Sequence, residues 1–363
     1  MRMTWLDLTR TWGRRTGERD GRMEDLMMKR KCYNSASALA TAAGIFVISG
    51  CSSSTSSTAD SGASTTVDSG VTSKVEPSAT PTTLRTPATG TSLEKAAKDT
   101  LYLCPRGPIK IPPLTRPSST WIEGDAVVVS KIPFVDGSVK VDGKFEMTTT
   151  ATERVLKGNG LPNHPIGTFP VQAGTAAYQY YSALPAMGYK NAAEIPVAAY
   201  EINLSLPRNP KVNAASTCIQ WIFTGVVTQT GAAWHLDVAI DSSNNLLDPV
   251  SALPMDQCWG HPYATQYHYH GYSWKCFPNQ GEQNKHSPLF GYAIDGFGVF
   301  GPRGEDGKLV TNAELDECHG HTHKVEWDGE IKEMFHYHVN NEYPYSIGCY
   351  RGTPIDLPHH LKH

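Results

Sequence analysis

From about Leu101 onward the chain alternates short apolar runs with turn residues, and no long 3.6-residue apolar stripe runs through it. Ala126–Phe134 (AVVVSKIPF) is short and β-branched, and the Asp136-Gly137 and Asp142-Gly143 dipeptides flank an alternating SVKV, which predicts a hairpin. The alternation continues through KFEMTTT (144–150), and CIQWIFTGVV (218–227) and WHLDVAI (234–240) are further runs of strand length. Asp295-Gly296 lies between two aromatic alternations (290–301) and predicts another hairpin. The expected fold is therefore mainly β: an antiparallel sandwich-like or barrel-like domain with few short helices. Two short helices are expected, one over 312–317 with Thr311 and Glu314 as a capping box, the other near 91–99 with Thr91 and Glu94.

The pattern upstream is different. Lys29-Arg30-Lys31 precedes an uncharged stretch of small and apolar residues, Ser35–Ser49, that ends in Ile48-Ser49-Gly50-Cys51. That stretch is shorter than the roughly 20 apolar residues a spanning helix needs, so it reads as a signal peptide. Its end resembles a bacterial lipobox, which implies cleavage before Cys51 and a lipid on that thiol. Residues 28–50 are thus the expected lipoprotein signal, and residues 1–27 fit poorly in front of it. A start at Met23, Met27 or Met28 is the expectation. Residues 51–100 are mostly Ser, Thr, Ala, Gly and Pro, too poor in large apolar side chains to offset chain entropy. From Ser52 to about Thr91 this linker is expected to form a disordered tether spanning on the order of 35 Å. The folded domain is then 101–363, with a weak division near Leu247-Asp248-Pro249 before a His/Cys-rich part at 256–352. The expected location is the cell envelope, with the protein lipid-anchored on the extracytoplasmic face of a membrane.

Composition narrows the function. The formal net charge of −3 supplies no basic field for nucleic acid. Only 18% of residues are charged, while Gly (32) and Pro (25) are plentiful, which suits turns and strands. Of eight cysteines, Cys32 and Cys51 lie in the N-terminal region. The other six, Cys104, Cys218, Cys258, Cys276, Cys318 and Cys349, are expected to form three disulfides in an oxidising compartment. Six cysteines allow about 15 connectivities. Cys258–Cys276 and Cys318–Cys349 are preferred because each closes its own histidine unit, which leaves Cys104–Cys218.

Those units are an internal echo. Asp256-Gln257-Cys258-Trp259-Gly260-His261, then Tyr267-His268-Tyr269-His270, then Cys276, is matched by Asp316-Glu317-Cys318-His319-Gly320-His321, then Phe335-His336-Tyr337-His338, then Cys349. The spacers differ, so this is not a strict solenoid. Two similar elements facing each other about a pseudo-twofold axis are expected. On a strand, residues i and i+2 share a face. His268 with His270, and His336 with His338, would then converge as four imidazoles while Tyr267, Tyr269, Phe335 and Tyr337 pack inward. His261, His319, His321 and His323 add donors nearby. Imidazoles without thiolate suit zinc, copper, nickel or iron, and copper or zinc is the expected cofactor. His164 is expected in a turn, and His359, His360 and His363 in a polar tail.

The segments DQCWGHP…YHYHG, HSPLFGYAIDGFGVFGP, LDECHGHTH, FHYH and YPYSIGCYRG together resemble the YHYH domain family of exported bacterial proteins. NGLPNHPIGTFP (159–170) resembles the start of that domain, and the resemblance covers roughly 120–352, with Phe335 where the motif has Tyr. It implies a domain type and little mechanism. Three functions stay open: a membrane-tethered metal-binding domain, a metal-dependent hydrolase with Asp295, Asp256 or Asp316 as base, and a metal-free disulfide-stapled surface module. No G-x-S-x-G elbow or phosphate-cradling P-loop is present.

Overall fold

The computed structural model describes residues 90–108, 110–184 and 195–362, all within one compact unit. The signal segment, Cys32, Cys51, the proposed start codons and most of the linker lie outside the described residues. The chain is mainly β. A parallel pair, β1 (Gly90–Ser92) and β2 (Thr100–Tyr102), opens it, followed by a small antiparallel pair, β3 (Ile122–Glu123) and β4 (Ala126–Val127). β5 (Phe145–Thr149), β6 (Glu153–Gly158) and β7 (Ile202–Pro207) form a three-stranded antiparallel sheet, with helix α1 (Ala176–Ala183) between the last two. In β7 the alternation is direct: Ile202, Leu204 and Leu206 are buried and their neighbours Asn203 and Ser205 are exposed.

β8 (Phe223–Val226), β9 (Ala233–His235), the small pair β10 (Ala239–Ile240) and β11 (Leu246–Leu247), and the short helix α2 (Pro249–Ala252) follow. Then come β12 (Gly260–Tyr263), β13 (Gln266–Tyr269), β14 (Leu289–Ala293), β15 (Gly298–Phe300), β16 (Gly320–Trp327) and β17 (Glu330–His338). Eight strands make one sheet in the order β12-β13-β9-β8-β14-β15-β17-β16. The order has two free ends, so the sheet is open and does not close into a barrel. The three-stranded sheet packs against it: the buried Arg154 of β6 sits over the rings of Tyr292 (4.8 Å) and Trp327 (4.3 Å) and bonds Asp328 at 2.7 Å.

The sheet is a repeat. In each half a hairpin (β8–β9, β14–β15) is joined in parallel by the inner strand of a second hairpin (β12–β13, β16–β17). The halves meet antiparallel at β8 and β14, through Val226 opposite Tyr292. Each first hairpin even shares a bulge, between Phe223 and Gly225 and between Leu289 and Gly291. These glycines let the halves approach: a Cβ would lie 2.6 Å from the Tyr292 carbonyl oxygen at Gly225 and 2.0 Å from that of Val226 at Gly291.

Several local expectations are corrected. Asp136-Gly137 and Asp142-Gly143 make no hairpin; Val139 only bridges Ile166, and Val135 bridges Asp256. AVVVSKIPF yields the two-residue β4 and then a single 3₁₀ turn over 129–131. The segment 91–99 is not helical, because Gly90–Ser92 pairs with Thr100–Tyr102 and Thr91 Oγ1 donates to the Pro112 carbonyl instead of capping. The 312–317 segment makes one turn only. The Thr311 amide does donate to Glu314 Oε2 at 2.9 Å, but Asn312 is pulled into tertiary bonds with Asp99 and Tyr343. The Asp295-Gly296 hairpin forms as expected, with the Ala293 amide donating to the Phe297 carbonyl at 3.0 Å. Part of the expected C-terminal tail is pinned: Leu361 is fully buried, and the His360 ring donates to the Glu201 carbonyl at 2.9 Å, while His363 lies outside the described residues.

Candidate metal centres

The Asp-x-Cys-x-Gly-His motif is a turn that launches a strand. Asp256 Oδ1 accepts from the amides of Cys258 (2.8 Å) and Gly260 (3.2 Å), and Asp316 Oδ1 accepts from those of Cys318 (2.9 Å) and Gly320 (3.1 Å). The residue before each glycine is left-handed, Trp259 at φ 61° and His319 at φ 75°. The glycine is required by the aromatic of the facing strand. A Cβ would sit 2.1 Å from the Tyr267 hydroxyl at Gly260 and 2.3 Å from the Phe335 ring at Gly320. The turn thus sets the register that places His261 opposite His268, and His321 opposite His336.

The histidines share one face of the large sheet. A row of paired residues runs His261, His268, Ala233, Val226, Tyr292 and Gly298, and reaches the His336–His321 pair on the far side. The expected convergence into a single four-imidazole site is therefore corrected. β13 and β17 are five strand spacings apart, about 24 Å. Each unit instead builds its own cluster. His261, His268 and His270 form one, and His286, His321, His336 and His338 form the other. The aromatics do pack inward on the opposite face: Tyr267, Tyr269 and Tyr337 are fully buried.

In the first cluster His270 Nε2 lies 3.2 Å from His268 Nε2 and 3.1 Å from His261 Nε2. His268 Nδ1 is held by the Gln266 carbonyl (3.1 Å) and His270 Nδ1 by Asp237 Oδ1 (3.2 Å). His235 stacks on His268 with ring centroids 3.7 Å apart. Burial pushes Asp237 up to about 7 and His270 down to about 3, so both favour neutrality at this pair. In the second cluster His336 Nε2 lies 3.1 Å from His338 Nε2 and 3.2 Å from His286 Nε2. All three Nδ1 atoms face main-chain carbonyls: Met334 (3.1 Å), Gly301 (2.5 Å) and Ser287 (2.7 Å). His321 Nε2 is buried with no hydrogen-bond partner.

A carbonyl only accepts, so His286, His336 and His338 each carry their proton on Nδ1. Their Nε2 lone pairs then point at one another at hydrogen-bond distance with no proton between them. A proton is a poor remedy, because burial and the neighbouring imidazoles push His336 down to about 2 and His338 well below its usual value. A metal cation is the group that fits. Tetrahedral zinc with bonds near 2.0–2.1 Å puts its nitrogens roughly 3.4 Å apart, close to the observed spacing. A hydrogen-bond acceptor facing the other ring nitrogen is what metal-bound imidazoles commonly use to fix tautomer and orientation.

Other expected site residues go elsewhere. His319 is buried between the His338 carbonyl (2.8 Å) and Asn312 Oδ1 (2.9 Å), outside both clusters, and Trp259 fills its place in the first unit. His323 lies at the rim, its ring 4.0 Å from that of His321, and bonds Glu305 at 2.9 Å. The carboxylates are not brought to the histidines. Asp256 accepts from Gly167, Cys258 and Gly260 amides and the Tyr267 hydroxyl. Asp295 accepts from the Tyr337 hydroxyl (2.6 Å) and the Gly352 amide (2.9 Å), and Asp316 caps its turn beside Arg351. His164 bonds the Tyr269 hydroxyl at 2.6 Å on the aromatic face. It also neighbours Cys258 and Cys276, but those two are disulfide-bonded and offer no thiolate. The disulfides are Cys104–Cys218, Cys258–Cys276 and Cys318–Cys349, the preferred pairing.

His235, Asp237 and His286 were not legible as site residues. The first two sit in WHLDVAI, where a His-x-Asp spacing on a strand was the available signal; His286 lies alone in a loop.

A mainly β domain with paired disulfides and two histidine clusters on one sheet face is thus the class of protein here. The family model described as YHYH protein matches residues 203–308, which run from β7 past β15 and carry the whole first cluster and His286. No curated protein and no solved structure matches the chain.

Proposed function

We propose that this protein is an exported, lipid-anchored domain that holds one transition-metal ion, copper or zinc, in each histidine cluster. The reading rests on the second cluster, where three Nε2 atoms converge at 3.1 and 3.2 Å while every Nδ1 is committed to a carbonyl. Three disulfides suit an oxidising compartment, and the lipobox-like Ile48–Cys51 suits an anchored protein outside the cytoplasm. The hydrolase reading loses support because Asp256, Asp295 and Asp316 are spent on turns and tyrosines.

Elemental analysis of the full chain, purified without a histidine tag, tests the metal. Two equivalents are expected. His268→Ala with His270→Ala should leave one, and His336→Ala with His338→Ala should leave the other. Wild-type protein free of copper and zinc would sink the reading. For the anchor, Cys51→Ser is expected to move the protein from the membrane fraction to the soluble exported fraction. Retention on the membrane would contradict it.

A further inference from the structure

The two clusters differ in their access to solvent. His235, His261, His268 and His270 are 2–3% exposed and Asp237 is fully buried. In the second cluster His336 and His338 are fully buried, but His286 and His321 are half-buried. His286 also lines an open pocket of about 680 Å³ with Glu282, Lys285 and Gln280. On the other flank His323 follows His321 by two residues on β16 and so shares its face, with ring centroids 4.0 Å apart. Glu305 Oε2 accepts from His323 Nδ1 at 2.9 Å, and its side chain is 67% exposed. That bond turns Nε2 of His323 into the ring's lone-pair side, the arrangement of a metal-ready imidazole. The repeat supplies its own control. The residue of the first unit equivalent to His323 is Tyr263, two after His261, which has no comparable affinity for a cation.

We propose that His323 and Glu305 form an outer, labile station that takes divalent copper or zinc from solvent and passes it through His321 to the second cluster, while the first cluster keeps its ion as a structural centre. This rests on the metal reading above. An imidazole backed by a carboxylate is suited to brief capture: it offers one good donor and an anionic approach, without enough ligands to hold the ion. The ring-to-ring step to His321 is short enough for ligand exchange without strand movement. Among the described residues nothing equivalent reaches the first cluster, so its ion would leave only when the sheet opens.

Stopped-flow release of zinc from the loaded full chain into excess chromophoric chelator tests this, with zinc content measured beforehand by elemental analysis. Two phases are expected, one ion in each. His338→Ala should remove the fast phase and His270→Ala the slow one. His323→Asn and Glu305→Gln should each slow the fast phase about tenfold, in line with the effect of removing outer-shell partners, while the slow phase keeps its rate as a check on the fold. Release of two ions in a single phase, or an unchanged fast rate in both variants, overturns the inference and leaves the metal reading standing. A wild-type chain with no zinc at the outset overturns both.

Discussion

The two halves of the large sheet share a backbone plan and differ in what lines it. Both start from the same Asp-capped turn, carry a left-handed residue before glycine (Trp259 in one, His319 in the other), and close on their own disulfide. Yet His270 leans on a buried carboxylate, Asp237, where His338 leans on the Gly301 carbonyl. His235 of β9 stands where Phe300 stands on β15, and the outer hairpin of the second half is twice as long, eight and nine residues against four and four. The scaffold fixes where imidazoles can meet. The residues around it decide which acceptors orient them and how far they lie from water.

Loss of the unit disulfides should show how equal the halves are. Cys258→Ala/Cys276→Ala opens an 18-residue separation and Cys318→Ala/Cys349→Ala one of 31, so each pair should cost about 3 kcal/mol in urea unfolding. A loss in one half alone would break the symmetry of the account. The next effect is specific to one half. Asp237→Asn should weaken only the first ion, about tenfold, by removing the carboxylate behind His270. Isothermal titration of the metal-free chain reads this as one weakened site of two; two equally weakened sites would contradict it.

A further test is pH. Folded-state values are lowered by burial at His164, His261, His270, His286, His319, His321, His336 and His338, with His270 pushed to about 3, His321 to about 4 and His336 to about 2. Below the ordinary value of 6.5 the unfolded chain binds protons that the folded chain refuses, so metal-free protein loses stability as pH falls from about 6.5 toward 4. Buried Asp237, Asp256 and Asp295 and half-buried Asp316 act the other way: desolvation raises them, and they favour the folded state as pH falls through their folded values. The histidines outnumber them, and net acid destabilisation is expected in thermal melts. Bound metal should flatten the curve down to the pH at which the ion is released.

Much of this was readable in the chain because it is local. The His-x-His period, the Asp-x-Cys-x-Gly-His turn and the disulfide that closes each unit all lie within a few dozen residues. The aromatic side of each strand followed from period two alone. What escaped depends on partners far apart in sequence. Only the parallel pairing of β13 with β9 brings His235 and Asp237 to His268 and His270, and a sequence does not announce which strand will dock beside it. His286 reaches the second cluster from a loop, with no strand period to mark it. The first hairpins of the repeat had diverged too far to read, Phe223-Thr224-Gly225 against Leu289-Phe290-Gly291, although the fold retains their shared bulge. For the same reason two histidine pairs looked like one site. Nothing in the echo says that four strands stand between them.

Anomalous diffraction from crystals of the untagged chain, at the copper and zinc edges, tests the central claim most directly. Two peaks are expected, one among His261, His268 and His270 and one among His286, His321, His336 and His338. No peak at either cluster, or metal only at the C-terminal His359 and His360, would contradict it.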